Sequence, residues 1–403
     1  MDAPLIELRN VQKTLGSTRV LDGVDLKIYR GEITAVIGKS GSGKSVLLKH
    51  IIGLFEPDAG EILIEGRSRA ERSAAEKRAL KRKFSYVFQD TALFDFLTVF
   101  ENVALPLTER REGRPAEIAR RVREKLRQLD LDDVEEKYPS QLSGGMKKRV
   151  ALARALVTEP EIVLFDEPTT GLDPIRKNAV HSMILEYQQR YGFTGVVVSH
   201  EIPDIFFIAQ RVAMIDGGRI RFEGTPEEIQ RAADPEVRAF IEGLESPRDD
   251  LTGVDSHPIG QKRLLQEMIR LQRHEIPFSI VLLAVESRGG TERIGGHEAG
   301  QEVFKLFANH VTQNTYITDT CFRFDINKIM VLLPDTNRQQ AMQFCRKISR
   351  SLEGHPLLDT PGGQAAFRYA VSAGVAQAAP SSDLDDLVAE ALEGSFVLYE
   401  SRA

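Results

Sequence analysis

The sequence has 403 residues, of which 42% are apolar and 28% are charged, and its 53 basic and 59 acidic side chains give a net charge of −6. A chain of this length and composition can bury more than one core, so we expect two or three domains. The near balance of charge excludes a general nucleic-acid binder. The basic cluster from Lys77 to Lys83 is interpreted as a solvated helix face.

Cysteine usage and hydropathy indicate the compartment. Cys321 and Cys345 are the only cysteines, and both lie in apolar stretches, which argues against a disulfide framework and favours a reducing environment. The N-terminal MDAPLIELRN lacks the charged-then-apolar pattern of a signal peptide, and no run of roughly 18 apolar residues occurs. We therefore expect a cytoplasmic protein that reaches a membrane only through a partner.

Short β-rich runs alternate with amphipathic stretches in the first part of the chain, which predicts a parallel α/β sheet covered by helices. The charged helical segment from Pro115 to Leu131 interrupts this rhythm, so we expect an inserted helical subdomain at about residues 95–145. The β-rich runs are IELRNV, ITAVIG, FSYVFQ, EIVLFDE, TGVVVSH and RVAMIDGG.

A domain boundary is predicted near residues 245–250, because Pro247 and acidic residues break a pair of short helices that begins at Pro226. The remaining chain predicts helix, strand, helix, a strand pair, helix, strand and a closing helix, DLDDLVAEALEGSFVLYE. We therefore predict an α/β domain over residues 1–245 and a smaller α+β domain over residues 249–403.

The run Gly38-Lys39-Ser40-Gly41-Ser42-Gly43-Lys44-Ser45 follows the apolar ITAVI and precedes the helical VLLKHIIGL. It matches the P-loop pattern. Its glycines let successive N–H groups surround phosphate oxygens at a helix N-terminus, Lys44 adds positive charge, and the Ser45 hydroxyl can ligate Mg²⁺. A flexible Gly/Ser turn is the alternative, and the order of strand, turn and helix disfavours it.

Two carboxylates, Asp166 and Glu167, end the apolar run IVLFDE. A P-loop needs a second anchor for Mg²⁺, which Asp166 would supply, while Glu167 would polarise the attacking water as a general base, a role worth about 10²–10⁴-fold in rate. An acidic pair at a strand end is, by itself, equally compatible with a helix cap. Its coupling to the P-loop favours the catalytic interpretation.

Further motifs carry a resemblance to the ATP-binding subunits of ABC transporters over residues 5 to about 242. Leu142-Ser143-Gly144-Gly145-Met146, before a helix, resembles the ABC signature motif, with Met where many members have Gln. Gln89 resembles the Q-loop, Gly171-Leu172-Asp173 the D-loop, and His200 the switch histidine. A histidine after a strand is in general more often structural, but its position in this order of motifs favours a catalytic role.

The resemblance implies ATP and Mg²⁺ as cofactors and a head-to-tail dimer in which each ATP lies between one P-loop and the opposite signature motif. Ser143, Gly144 and Gly145 would then contact the γ-phosphate, and Asp173 joins the nucleotide-binding set. His200 would hold the water and Glu167 in line. Gln89 would sense Mg²⁺ and link the site to a membrane permease.

Finer features are similar to the ATPase subunits of Mla-type lipid transport systems, namely Gln89 to Phe94, Glu101-Asn102-Val103, LSGGM and the segment from Asp234 to Phe240. This implies a permease partner, through it a periplasmic lipid-binding protein and a small accessory subunit, no nucleic acid, and a peripheral place on the inner face of the cytoplasmic membrane. Leu93 and Phe94 could instead be core residues. Two alternatives remain. One is a transporter of another substrate, and the other is a soluble ABC ATPase that acts on nucleic acid or ribosomes.

Residues 249–403 resemble a GGDEF-type nucleotide cyclase domain that has lost its chemistry. The scaffold resemblance lies in Asp249-Asp250-Leu251-Thr252-Gly253, Gly296-His297-Glu298-Ala299-Gly300 and the strand from Val371 to Ala376. Where the name-giving sequence should follow Arg323-Phe324, the chain reads Asp325-Ile326-Asn327-Lys328-Ile329. Both glycines that allow close backbone approach to phosphate are lost, and two acids are replaced by Asn327 and Lys328.

Other positions of the cyclase pattern are also changed. Ala284 and Glu286 stand where the strand's metal-binding acids are usual, Gln301 replaces a guanine-binding Asp, and Tyr316 with Asp319 keeps half of the inhibitory R-x-x-D motif. We therefore expect no cyclase activity. A regulatory ligand, dimerisation or contact with another transport component are the roles left open.

Overall fold

A computed structural model of the chain describes residues 3–89, 91–129, 131–244, 246–287, 296–354, 368–379 and 382–401. The chain divides into two compact units, one of Met1–Leu172 with Val180–Leu244 and one of Asp173–Ala179 with Glu245–Ala403. Each unit has its own β-sheet structure and its own buried apolar core.

The strands of the first unit form two sheets. They are β1 Ile6–Leu15, β2 Thr18–Ile28, β3 Ile33–Ile37, β4 Ala59–Ile64, β5 Arg67–Ser68, β6 Phe84–Val87, β7 Ile162–Asp166, β8 Thr194–Ser199, β9 Arg211–Asp216 and β10 Arg219–Gly224. One sheet has the order β10-β9-β3-β8-β7-β6 and the other the order β2-β1-β4-β5. In the first sheet every neighbouring pair is parallel except β9 with β10.

The parallel strands are mostly apolar, as expected for sheets whose two faces are covered by helices. Every residue of β3 and β8 is buried. The predicted parallel α/β sheet is therefore confirmed, with one correction. The IELRNV run belongs to the other sheet, where β1 pairs antiparallel with β2 and β4.

The helices from the P-loop onwards include the predicted helical segment between residues 95 and 145. They are α1 Lys44–Ile52, α2 Ala74–Arg82, α3 Val99–Arg110, α4 Pro115–Gln128, α5 Gly144–Leu156, α6 Pro174–Tyr191, α7 Pro226–Gln230 and α8 Pro235–Leu244, with short 3₁₀ turns at Pro139–Gln141 and Asp204–Phe207. Capping boxes begin α2 at Ser73, α3 at Thr98 and α7 at Thr225. Each box satisfies otherwise unpaired N–H groups of the first turn.

The second unit is an antiparallel sheet with helices packed against it. Its elements are α9 His257–His274, β11 Phe278–Ser287, α10 Gly296–Asn314, β12 Thr320–Asp325, β13 Lys328–Pro334, α11 Arg338–Gly354, β14 Tyr369–Gln377, α12 Leu384–Glu393 and β15 Phe396–Glu400. The strand order is β12-β13-β11-β14-β15. Separate clusters of buried apolar residues line the sheet, which gives the α+β architecture that the sequence predicts.

The prediction of one closing helix is wrong in its second half. Helix α12 ends at Glu393, and Gly394 follows as its C-cap. The next residues, FVLYE, are rich in β-branched and aromatic side chains, which favour strands. They form β15, which pairs antiparallel with β14.

A buried ion pair joins the start of the second unit to its β-hairpin. The Arg323 guanidinium, which is fully buried, donates to Asp249 Oδ2 at 2.9 Å. The other oxygen, Oδ1, accepts hydrogen bonds from both the backbone N–H (2.7 Å) and the hydroxyl (2.5 Å) of Thr252. Asp249 therefore fixes the DDLTG turn and neutralises a charge that water cannot reach.

Both cysteines are buried thiols of the second unit. Burial raises the pKa of Cys321 and of Cys345 to about 12. No helix within the described residues combines the length and the apolar character that crossing a bilayer requires.

Asp249→Ala is expected to destabilise the second unit by about 3–5 kcal/mol, because it removes the carboxylate that pairs with the buried Arg323 guanidinium. Asp250→Ala, which changes the exposed neighbour, is the matched control and should have little effect. Chemical denaturation of the full chain, followed by circular dichroism, measures both. Equal stability of the two variants would contradict the structural role of Asp249.

Candidate active site

Three loops meet at one edge of the parallel sheet because their strands end at the same level. In the β3 and β8 pair Ile37 lies opposite Ser199, and in the β7 and β8 pair Asp166 lies opposite Val198. The P-loop begins after Ile37, His200 follows Ser199, and Glu167 follows Asp166. Strand β8 lies between the other two, so the sheet itself brings these groups together.

The P-loop turns into α1 through Gly43, which has φ 104°. A side chain is excluded at this position, because a Cβ would lie 2.9 Å from the Val20 carbonyl oxygen and L-residues rarely adopt such a φ. The first N–H groups of α1 have no intrahelical partners. They provide positive potential at the place where an anion would bind.

Lys44 is buried in the P-loop and its ammonium group is held by the loop itself. Nζ donates to the Gly38 and Lys39 carbonyl oxygens, at 2.9 Å each, and lies 3.9 Å from Glu167 Oε1. Burial lowers the pKa of Lys44, and the nearby Glu167 and Asp166 carboxylates oppose that shift. The site therefore holds a desolvated positive charge beside two acids.

Asp166 accepts hydrogen bonds from two hydroxyl groups. Ser45 Oγ donates to Oδ1 at 2.8 Å, and the Tyr86 hydroxyl donates to Oδ2 at 2.8 Å. Burial, and secondly the bond to Asp166, raise the pKa of Tyr86 above its ordinary range. The predicted pair Ser45 and Asp166 is thus in direct contact, with Tyr86 as an additional member.

Glu167 has a left-handed backbone, with φ 48°, a conformation that costs free energy for a residue with a side chain. Its N–H donates to the Val198 carbonyl oxygen at 3.0 Å. The Oε2 atom accepts from Thr170 Oγ1 at 3.1 Å and lies 3.4 Å from His200 Nδ1. The carboxylate is therefore held between Lys44, Thr170 and the half-exposed His200.

Gln89 lies in the exposed turn after β6, and the next two described residues, Thr91 and Ala92, both have positive φ. Arg154 of α5 holds this pair in place, with Nη1 donating to the Ala92 carbonyl oxygen and Nη2 to that of Thr91, at 2.7 Å each. A partly buried guanidinium thus connects the loop after Gln89 with the helix that begins at the signature motif.

Ser143 of the signature motif and Asp173 each accept a hydrogen bond at the start of a helix. Ser143 is the N-cap of α5, where its Oγ accepts from the Met146 N–H at 3.3 Å, and Gly144 and Gly145 form the first turn. Asp173 Oδ1 accepts from the Arg176 N–H at 3.1 Å. Ser143 therefore uses the Met146 N–H and leaves those of Gly144 and Gly145 for an anion.

Phe94 and Phe96 form an exposed aromatic pair between β6 and α3. Their ring centroids are 5.6 Å apart, and the residues are 43% and 75% exposed, so Phe94 is not a core residue. Asn102, which is fully buried, fixes this loop by accepting from the Phe94 N–H (2.9 Å) and donating to the carbonyl oxygens of Phe94, Leu97 and Thr98.

In the second unit, side chains of the β12–β13 hairpin form hydrogen bonds within the hairpin and to the neighbouring strand β11. Lys328 Nζ donates to Asp325 Oδ2 at 2.6 Å, and Asn327 Nδ2 donates to the Val285 carbonyl oxygen at 3.0 Å. Ala284 lies opposite Lys328 in the strand register. A lysine and an alanine therefore stand together where a metal-binding site would need carboxylates.

Sequence reasoning missed Tyr86, Thr170 and Arg154. Tyr86 lies in FSYVFQ, where the pattern indicates a strand but not how far the hydroxyl reaches. Thr170 lies three residues after Glu167, and its proximity depends on the turn after β7. Arg154 lies in a helix of ordinary composition, so no signal in the sequence distinguishes it from a surface arginine.

The comparisons with known proteins agree with this geometry. Residues 21–170 match the ABC transporter family, and residues 246–395 match the GGDEF domain family of diguanylate cyclases. The intermembrane phospholipid transport system ATP-binding protein MlaF of Escherichia coli is 38% identical over 242 residues, which are 60% of this chain and 90% of that protein.

Two other relatives bear on the first unit. The probable ribonucleotide transport ATP-binding protein mkl of Mycobacterium leprae is 38% identical over 238 residues, 59% of this chain and 69% of that one. The dimeric post-hydrolysis structure of the ATP-binding cassette MJ0796 with ADP and Pi is 34% identical with a TM-score of 0.50, and the match covers 55% of this chain and 98% of that one.

Proposed function

The chain belongs to the ATP-binding family of ABC transporters and carries a GGDEF-family domain as well, and from this premise we propose that its ATPase powers a membrane permease that moves phospholipids. The observation that carries the proposal is the 38% identity to MlaF over 90% of that protein. Residues 1–245 would be the ATPase module, with its helical subdomain at about 95–145. Residues 249–403 would be a GGDEF-like module without cyclase activity.

In this proposal the P-loop, residues 38–45, binds the phosphates of ATP. The N–H groups of the loop and of the start of α1 would surround the β- and γ-phosphates, and Lys44 would neutralise part of their charge. Phosphate oxygens would replace the Gly38 and Lys39 carbonyl oxygens as partners of Lys44 Nζ. That exchange is favourable because a charged acceptor makes the stronger hydrogen bond.

The residues beside the P-loop fit Mg²⁺. Ser45 and Asp166 offer a hydroxyl and a carboxylate oxygen 2.8 Å apart, and Gln89 would add an amide oxygen, all of them the hard oxygen ligands that Mg²⁺ prefers. Within the described residues no cluster of three or more acidic, His or Cys side chains forms a separate metal cage. Mg²⁺ is typically held by one or two carboxylates plus substrate phosphates, where it neutralises charge that develops on them.

Glu167 is the proposed general base. Its carboxylate stands at the sheet edge near Lys44, and His200 lies on its other side, so a water between Glu167 and the γ-phosphate could lose its proton to Glu167 as it attacks. His200 would hold the water and the γ-phosphate in line. Thr170 restrains the carboxylate on the side of the turn.

The start of α5 supports a head-to-tail dimer. The cap leaves N–H groups of Gly144 and Gly145 free to bind an anion, whereas the chain's own P-loop already surrounds one side of the nucleotide. We propose that Ser143, Gly144 and Gly145 complete the γ-phosphate site of a second copy, with Asp173 at the same interface. The relative MJ0796 is dimeric with ADP and Pi.

Glu167→Gln is expected to bind ATP and form stable dimers without turnover, and Ser143→Asp in that background should return the protein to monomers. Asp caps a helix as well as Ser does, so α5 is preserved while a negative charge meets the partner's γ-phosphate. Ser143→Asn keeps the cap without the charge and serves as the control. Sedimentation velocity with ATP and Mg²⁺ measures the dimer fraction.

If the Ser143→Asp and Ser143→Asn proteins form the same fraction of dimers, the proposed position of the signature motif is wrong. If purified Glu167→Gln still hydrolyses ATP, Glu167 is not the general base.

The exposed aromatic pair, Phe94 with Phe96, is the proposed contact with the permease. Exposed aromatic side chains of this size are enriched at protein interfaces, and Asn102 holds them on a fixed loop. Through the permease we propose a periplasmic lipid-binding protein and a small accessory subunit as further partners. The chain would then lie peripherally on the inner face of the cytoplasmic membrane.

Purification of the chain from detergent-solubilised membranes should bring down a permease and phospholipids, both identified by mass spectrometry. Phe96→Asp should reduce the recovery about 10-fold or more, since charge in the centre of an interface is strongly unfavourable. Leu54→Asp, at another exposed apolar residue, is the control. Recovery of ribosomes or nucleic acid instead of a permease would favour the soluble ABC ATPase, and a permease without lipid would favour another substrate.

The second module should make no cyclic dinucleotide. The contact of Lys328 with Asp325, and the alanine opposite it, leave a metal-bound GTP without the carboxylates that it needs. Incubation of the full chain with GTP and Mg²⁺ or Mn²⁺, followed by chromatography, tests this expectation. Formation of cyclic diguanylate at a rate that scales with protein concentration would overturn it.

A further inference from the structure

Tyr86 occupies a position in the candidate active site that no motif assigns. It lies in β6, three residues before Gln89, on the edge strand of the parallel sheet. In the register of β6 and β7 it is opposite Leu164, and Asp166 lies two residues further along β7. Because side chains two residues apart in a strand point to the same face, the phenol extends along the sheet towards Asp166.

Each oxygen of the Asp166 carboxylate accepts a hydrogen bond from a different donor. Oδ1 accepts from Ser45 of the P-loop and Oδ2 from Tyr86, at 2.8 Å each. The two donors come from different elements, α1 and β6, so the plane of the carboxylate is fixed from both sides. Without the Tyr86 hydroxyl, rotation about the bond to the carboxyl group would be restrained by Ser45 alone.

Such a restraint matters for a small cation. Mg²⁺ requires nearly ideal octahedral geometry, and it tolerates displaced ligands less well than larger cations do. Groups that hydrogen-bond to a metal ligand commonly determine affinity by fixing the ligand's orientation, and their removal typically costs about 10–100-fold in metal affinity. Tyr86 has this relation to Asp166.

We propose that Tyr86 is a positioning residue that orients Asp166 for the Mg²⁺ bound with ATP. The inference rests on the proposed function of Ser45 and Asp166 as the cation site. Tyr86 acts through Asp166 and does not itself contact the nucleotide or the cation.

The competing interpretation is that Tyr86 only packs. Its ring centroid is 4.5 Å from that of Phe88, and it contacts the core of the first unit. A packing role would make the loss of the hydroxyl weaken nucleotide binding equally with and without Mg²⁺. A positioning role makes the effect depend on the cation, and this difference separates the two.

The test is Tyr86→Phe in the full chain, with binding of a non-hydrolysable ATP analogue titrated against free Mg²⁺ and repeated in EDTA. The half-saturating Mg²⁺ concentration should rise about 10-fold or more, while binding in EDTA stays as in the wild type. Tyr187→Phe is the matched control, because it removes another buried tyrosine hydroxyl bond, that to the Gln128 carbonyl oxygen at 2.6 Å. It should leave the Mg²⁺ dependence unchanged.

Two results overturn the proposal, namely a half-saturating Mg²⁺ within twofold of the wild type, or an equal loss of binding in EDTA and in Mg²⁺. If the wild type itself binds the analogue without any Mg²⁺ dependence, the proposed cation site fails first. A wild type that depends on Mg²⁺ and an unchanged Tyr86→Phe protein would refute only the role of Tyr86.

If Tyr86→Phe lowers stability, a double variant separates that effect from the proposed role of the hydroxyl. In an Asp166→Asn background the hydroxyl has no carboxylate to orient, so adding Tyr86→Phe should not raise the Mg²⁺ requirement further. A stability defect would persist in that background. A further rise in the double variant would show that Tyr86 acts by another route and would contradict the proposal.

Discussion

The site depends on the common level at which three parallel strands end. Strand β8 lies between β3 and β7, and the register places Ile37 beside Ser199 and Asp166 beside Val198. The residues that follow these strands therefore leave the sheet at one edge, which is where parallel α/β sheets commonly bind ligands. Hydrogen bonds between buried strands thus set the distances between the P-loop, Glu167 and His200. A slip of one residue would turn every side chain of the moved strand to the other face.

The charged groups of the site lie close to one another, as a site that binds an anion requires. Lys44 is desolvated, with backbone carbonyl oxygens as its partners, and the start of α1 adds further positive potential. Glu167 is held in a left-handed conformation beside Lys44 and His200. In the proposed function, positive charge from Lys44 and from the start of α1 lets a general base and a triphosphate lie close together. The start of α5 is a second helix N-terminus that could bind an anion, and the proposed dimer gives it one.

The sequence predicts the elements whose chemistry is local. The P-loop, the acidic pair and the signature helix are each contiguous in sequence. The positions of the P-loop and the acidic pair after apolar strands are sufficient to place these two on one sheet edge. What remained unpredicted depends on contacts between distant segments. Tyr86 on β6 reaches Asp166 on the neighbouring strand β7, 80 residues later in the chain, and Arg154 joins α5 to a loop some sixty residues earlier. The strand β15 was missed for another reason, since FVLYE was read as a continuation of the preceding helix, although Gly394, the composition of FVLYE and the pairing with β14 all favour a strand.

The two units differ in how their charged side chains relate to the contacts that hold each fold together. In the second unit the scaffold is held by the pair Asp249 and Arg323 and by apolar clusters on the sheet, none of which includes Asp325, Asn327 or Lys328. The side chains of the hairpin are also paired locally, because Lys328 donates to Asp325 and the Asn327 side chain donates to the Val285 carbonyl oxygen. In the first unit, by contrast, the predicted reactive groups are also electrostatic partners, because the Glu167 and Asp166 carboxylates both act on the charge of Lys44. Substitution of any one of them would change the environment of the other two, so in that unit chemistry and local structure must change together.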